Sequence, residues 1–295
     1  MKRRQFVKNS SLAAISIGVF GKLIFEKNKF IGDTPTTTDV LGPFYRPGAP
    51  FRTDINPPGF KGKKLYLSGN IFKDDGKTPF SDCLIEIWQV NNEGKYDNIS
   101  NDFLYRGAAK TDKNGNYNFV TSMPIPYQAG KSYRAAHIHL RVEGAPGEQD
   151  LISQIYFKGD PYLHTDMYSA DPASAGRILM VTKNERNEDM VHFDIVMSKE
   201  FPLNNAAFEK IIGLYDFGKG NLVEFYKKGD LLFSKDNGQI SDAWRYTGNN
   251  SFEDGMGSKL QFEFLADGTI KAKVAYRDYP GNSIEKYEGT KFLKY

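Results

Sequence analysis

Between Lys63 and Met197 apolar and polar residues alternate in short runs separated by turn signals, the period of half-buried strands rather than helices. Leu65, Leu67, Gly69 and Ile71 alternate with polar neighbours, and Asp74-Asp75-Gly76 breaks the run with a turn. Cys83–Val90 is an apolar run around Glu86, a strand with at least one buried face. Asp112-Lys113-Asn114-Gly115 turns into Tyr117 and Phe119, and Ala136–Gly144, Leu151–Phe157, Gly176–Thr182 and Val191–Met197 continue the series. No βαβ alternation of helix and strand interrupts it, so the predicted fold is all-β, an antiparallel β-sandwich. Ser198–Asn205 reads as a linker, and Phe208, Ile211, Ile212 and Tyr215 fall at helical spacing. From Asn221 strand alternation returns (Leu222, Glu224, Tyr226; Leu260–Phe264; Thr269–Ala275), with turns at Gly229-Asp230, Asp236-Asn237-Gly238 and Ala266-Asp267-Gly268. The expected organisation is an address segment at 1–30, a β-sandwich at 31–200 and a small, barrel-like all-β domain at 206–295.

Composition narrows the class. The 295 residues are 40% apolar and 25% charged, which excludes a disordered chain and a polytopic membrane protein. The lone Cys83 excludes an intramolecular disulfide and any cysteine-rich metal cluster. The net charge of +3 is concentrated at the N-terminus, where Lys2, Arg3, Arg4, Lys8, Lys22, Lys27 and Lys29 face only Glu26. The remainder is slightly acidic, which argues against a nucleic-acid partner. Arg3-Arg4-Gln5-Phe6-Val7-Lys8 followed by the uncharged run Asn9–Gly21 resembles a twin-arginine export signal. That run is shorter than the roughly 20 residues of a spanning helix. The expectation is therefore an exported, periplasmic protein with no membrane span in its mature chain.

The most specific local feature is Arg134-Ala135-Ala136-His137-Ile138-His139-Leu140. In a strand, Ala136, Ile138, Leu140 and Val142 share one face and His137 and His139 the other, with Cα atoms ~6.6 Å apart. Two imidazoles so placed can converge on one metal ion. His164 lies in a polar loop, and His192 has the spacing of a surface residue. The further ligands are left open by spacing alone, between carboxylate and the phenolates of 17 tyrosines.

Leu41-Gly-Pro-Phe-Tyr45, Ile85-Glu-Ile-Trp88-Gln89, Gly94-Lys95-Tyr96, Arg106-Gly107, Thr111-Asp112, Pro124-Ile-Pro-Tyr127, Arg134-Ala-Ala-His137-Ile-His139 and Gln154-Ile-Tyr156-Phe157-Lys-Gly159-Asp160 resemble, in order and near spacing, the intradiol ring-cleavage dioxygenases. The resemblance covers about residues 35–165. It implies one non-haem Fe(III) held by Tyr96, Tyr127, His137 and His139, with Arg134 and Gln154 beside substrate and oxygen. It further implies cleavage of a catechol-like diol between its hydroxylated carbons, using O2, to a muconate-type diacid, with Tyr96 taking up a substrate proton. Hard anionic phenolates suit Fe(III), whereas two histidines and a carboxylate suit Fe(II). The long helical N-terminal region that builds the dimer in typical members has no counterpart here, and neither does the C-terminal domain in the better-known members. Two other readings compete: a non-catalytic exported β-sandwich that binds through its C-terminal domain, and a metal enzyme using His137, His139 and a carboxylate such as Asp160.

Overall fold

A computed structural model of the chain describes residues 15–16, 22–26, 29–32, 35–144, 148–199, 205–228, 231–236, 238–255, 257–277 and 283–292. Arg3, Arg4 and the Gly229-Asp230 turn lie outside the described residues, as does Asn237. Ile15–Ser16, Lys22–Glu26 and Lys29–Gly32 pair as a small antiparallel sheet. Among the described residues no helix is long and apolar enough to cross a membrane.

Two five-stranded sheets carry the first core. One runs Ile178–Leu179, Leu151–Phe157, His137–Val142, Leu84–Trp88, Arg106–Lys110. In the other, Lys64–Phe72 is central and pairs with Asn116–Ser122, Asp189–His192 and Ile195–Val196. The inward faces of both sheets, among them Leu65, Leu67, Ile85, Ile87, Ile138, Leu140 and Phe119, form one buried cluster. The two sheets are not wholly antiparallel: Asp189–His192 and Ile195–Val196 run parallel to Lys64–Phe72, and Ile178–Leu179 runs parallel to Leu151–Phe157. The expected strand at Gly176–Thr182 is replaced by a 3₁₀ turn, Pro172–Arg177, and two two-residue strands. Asp171 caps the turn by accepting from Ala173 N–H, and proline is tolerated in its first turn. Of the expected linker Ser198–Asn205, Ser198–Lys199 instead pairs with Glu148–Gln149 and Asn205 opens a helix, while 200–204 lie outside the described residues.

Both faces of the His137–Val142 strand are buried. Its one strong cation, Arg141, is held between Glu86 Oε2 at 2.8 Å and Asp150 Oδ2 at 2.7 Å. Tyr45 also donates to Glu86. Removing the guanidinium would leave two buried carboxylates without their cation. Arg141→Met is therefore expected to cost about 3–5 kcal/mol of unfolding free energy. Urea denaturation would show it as a lowered midpoint.

The C-terminal strands close into a barrel of eight antiparallel strands, from Gly213–Asp216 to Ile284–Lys291. The helix, Asn205–Ile211, is shorter than the apolar spacing suggests: Tyr215 belongs to the first barrel strand. Phe208 and Ile211 enter the barrel core. The barrel packs directly on the sandwich. Leu231 and Phe233 join Leu41, Tyr45, Trp88 and Ile152 in one cluster. At Gly255 a Cβ would lie 2.3 Å from the Asp39 carbonyl carbon, an approach that only glycine permits.

Candidate metal centre

His137 and His139 stand on the same face of the central strand, their ring centroids 4.8 Å apart. Antiparallel register sets His139 opposite Trp88 on one side and Gln154 on the other, and His137 opposite Tyr156. The Trp88 indole lies flat against the His139 ring, at 4.8 Å and 6°. Tyr96 follows a tight turn in which Asn91 Oδ1 accepts from the N–H of Glu93 and Lys95. Asp97 fixes the next loop, its carboxylate accepting from the N–H of Ser100 and Leu104. Tyr127 opens the short hairpin that ends at Arg134, directly opposite it in register.

These four side chains meet. Tyr96 Oη lies 2.9 Å from His139 Nε2 and 3.1 Å from His137 Nε2. The Tyr127 ring stands edge-on to Tyr96 at 5.8 Å and 5.7 Å from His137. Gly94 makes the approach possible: at φ +73°, its missing Cβ would sit 2.9 Å from Tyr127 Cβ. Gly94→Ala should cost about 1–2 kcal/mol in backbone strain and push Tyr127 outward. The expected outcome is weaker metal retention, measured by metal content after dialysis.

The chemistry of the donor set fits a cation. The Ala135 carbonyl can only accept, so His137 Nδ1–H donates to it at 2.6 Å and Nε2 presents its lone pair inward. Burial, with Arg134 nearby, holds the His137 imidazole well below its usual pKa, and burial with His137 and Arg134 does the same for His139. Both rings are therefore neutral donors. The Tyr96 hydroxyl can donate to His137 Nε2 and accept from His139 Nε2–H, but that tautomer leaves the His139 Nδ1 lone pair with no donor. His139 Nδ1 is buried with no hydrogen-bond partner. Burial, reinforced by the neighbouring Tyr127, raises the Tyr96 phenol well above its ordinary range, and burial raises Tyr127. In this dry setting phenolate forms only against a strong positive charge, which a trivalent ion supplies. Tyr96, Tyr127, His137 and His139 are the residues that would hold it.

Beside this cluster Arg134 is fixed on three sides. Its Nε donates to both Asp166 oxygens at 3.0 and 3.1 Å, its Nη2 donates to Gln154 Oε1 at 2.7 Å, and its guanidinium lies 4.1 Å over the Tyr168 ring. Burial opposes its charge, but the facing oxygens of Tyr156, Asp166 and Tyr127 outweigh burial and keep it protonated. Gln154 is fully engaged, its Nε2 donating to the Val40 carbonyl. Behind it Tyr156 donates to Asp39, which also pairs with Arg177. The family resemblance named Arg134 and Gln154 but not Asp166, Tyr168, Asp39 and Arg177. For Asp39, Asp166 and Arg177 the only signal is charge at positions that turn out to be buried, and for the half-buried Tyr168 there is none.

The other candidates fall elsewhere. His164 is exposed, and His192 is exposed and pairs with Asp194 at 2.9 Å. Asp160 accepts from the N–H of Ala136 and of Tyr162, fixing the turn before the histidine strand. Among the described residues no group of three or more His, Cys, Asp and Glu is placed to hold a metal ion. The geometry therefore gives no support to a His/carboxylate centre.

Residues 40–199 match the protein-family model described as dioxygenase. The chain is 32% identical over 162 residues to chlorocatechol 1,2-dioxygenase of Rhodococcus opacus, covering 46% of this chain and 61% of that protein. It is 35% identical over 155 residues to catechol 1,2-dioxygenase 2 of Acinetobacter lwoffii, covering 46% and 55%. The chain thus spans only about half to three-fifths of these relatives' length. Among solved structures, 3-chlorocatechol 1,2-dioxygenase from Rhodococcus opacus superposes with a TM-score of 0.51 at 25% identity, over 56% of this chain and 73% of that one.

Proposed function

The chain belongs to the intradiol ring-cleavage dioxygenase family, and from that membership we propose that it opens a catechol-like diol between its two hydroxylated carbons with O2, giving a muconate-type diacid. Both oxygen atoms enter the product, so no external reductant is required. The observation that carries this reading is the convergence of two phenols and two neutral imidazoles: Tyr96 Oη lies within hydrogen-bond distance of both Nε2 atoms, and the Tyr127 ring packs against Tyr96 and His137. Fe(III) bound by these four would supply Lewis acidity and an acceptor for electron density from the diol.

The protein's own groups do the rest. A diol that binds as its dianion must shed two protons, and Tyr96 Oη, between two Nε2 atoms, is placed to hold one of them. Arg134 is a preorganised cation for negative charge developing on the ring oxygens. Asp166, Gln154 and Tyr168 hold it in place before substrate arrives, so no reorganisation is needed at that moment. Gln154 acts through Arg134 as a positioning residue, because both ends of its amide are already engaged. Trp88 on His139 and Phe44 stacked at 4.4 Å on Tyr96 keep water from the far side of the ligands.

The experiment is oxygen uptake by iron-loaded protein across a panel of catechols, with products identified by NMR. The expected product is a diacid. A hydroxymuconic semialdehyde, or no uptake with any diol, would contradict the reading. Arg3-Arg4 and the apolar run after it support export by the twin-arginine route. Replacing both arginines by lysine is expected to leave the protein in the cytoplasmic fraction, and unchanged fractionation would refute that route.

A further inference from the structure

The C-terminal barrel is a cup. At one end, the helix Asn205–Ile211 plugs it: Phe208 reaches Phe252 at 6.1 Å, and Ile211 is buried in the same cluster. The opposite end carries the turn after Gly213–Asp216 and the C-terminal ends of Leu231–Asp236 and Ile270–Arg277. There the barrel holds a cavity of about 290 Å³. An eight-stranded barrel is just wide enough either to be filled by its own side chains or to hold one small ligand. Here the plugged half is filled and the other half is not.

The walls of that half are aromatic on several sides. Trp244 is buried and 6.0 Å from Tyr276, which is 6.0 Å from Tyr287 at a steep angle. Phe217 lines the cavity and packs over the backbone of Gly289, where a Cβ would lie 2.5 Å from its ring. One wall is polar: Trp244 Nε1 donates to Ser234 Oγ at 3.0 Å, and Ser234 Oγ lies 2.9 Å from Ser241 Oγ. Ser241 Oγ donates to the Ser234 carbonyl at 3.3 Å, so with Ser234 donating to it one of its two lone pairs remains to accept from a guest. Among the described lining side chains only Asp236 carries a charge, and it is exposed at the rim; the Asp242 carboxylate, next to the lining, accepts from Tyr276 Oη at 3.1 Å. An anionic guest would therefore lose its water with no cation to meet it, and a cationic one would find the Asp242 carboxylate already holding the Tyr276 hydroxyl.

We propose that the barrel cavity binds a neutral monocyclic phenol, its ring between Trp244, Tyr276 and Phe217 and its hydroxyl donating to Ser241. An apolar cavity of about 150 Å³ already takes benzene, so a phenol fits with room for a ring substituent. The site is separate from the four-residue cluster on the sandwich and does not depend on chemistry there.

The chain has two tryptophans, Trp88 beside His139 and Trp244 in the barrel. Fluorotryptophan labelling of the full chain gives each site its own fluorine NMR resonance, assigned with Trp88→Phe. Phenol is expected to shift the Trp244 resonance saturably by about 10 mM, with benzoate and benzylamine at least about tenfold weaker. Ser241→Phe, which fills the cavity, is expected to weaken that response by about tenfold or more while leaving the Trp88 resonance in place. A Trp244 resonance unmoved by phenol overturns the proposal, as does a steeper response to benzoate or benzylamine. The wild-type titration alone decides if the variant does not fold. A shift confined to Trp88 overturns the barrel site while leaving the dioxygenase reading standing, so the two failures are distinct.

Discussion

Tyr127→Phe is expected to cost the iron-loaded protein most of its iron retention and the Tyr127 share of its visible charge-transfer band. The ring packing against Tyr96 and His137 survives the change, and only the oxygen is lost. Groups that merely orient metal ligands are worth about 10–100-fold in affinity, so loss of a direct anionic ligand should exceed that. The fold itself should change by less than about 1 kcal/mol, because a buried phenol loses only its hydroxyl. Metal content after dialysis and an absorption spectrum check the first claim, and thermal unfolding of the iron-free protein checks the second. A variant that keeps the whole band and its iron would show that Tyr127 is not a ligand.

Asp166→Asn is expected to lower kcat about a hundredfold with a much smaller effect on KM, because a small misplacement of a charge-stabilising group costs on that order. Asp166 grips Arg134 Nε with both oxygens and also accepts the Ala135 N–H at 2.8 Å. The amide weakens the first contact and retains an acceptor for the second. Asp166 makes no hydrogen bond to the four ligand side chains, so iron content should be unchanged, while Arg134, which meets the Tyr127 hydroxyl, can shift the visible band slightly; a purely structural role would not lower kcat with the iron retained. Activity within about twofold of wild type would contradict the assignment of Arg134.

The alternation of Leu65, Leu67 and Ile71 and the turn residues that follow made the strands legible, because strand burial repeats every two residues and turns demand Gly, Asp and Asn. The histidine pair was legible for the same reason. The parallel pairings of Asp189–His192 and Ile195–Val196 were not, since alternation states which face is buried but not which neighbour lies beside it. The shortened helix shows the limit of periodicity: Tyr215 keeps helical spacing but is buried from a strand, its hydroxyl donating to the Ile211 carbonyl at 2.7 Å. Tyr96 and Tyr127 were recognisable only through the resemblance, because nothing local separates them from other strand or loop tyrosines. Asp39, Asp166 and Arg177 were invisible, since a charged residue in a loop looks solvated until the fold buries it with a partner.

The account rests on two phenols that lose their protons only to a highly charged cation. Resonance Raman of the iron-loaded wild-type protein, excited within its visible band, tests this directly. The expected spectrum carries enhanced phenolate ring modes, part of which vanish in Tyr127→Phe. Iron-loaded protein that is colourless, or coloured without phenolate enhancement, would contradict it.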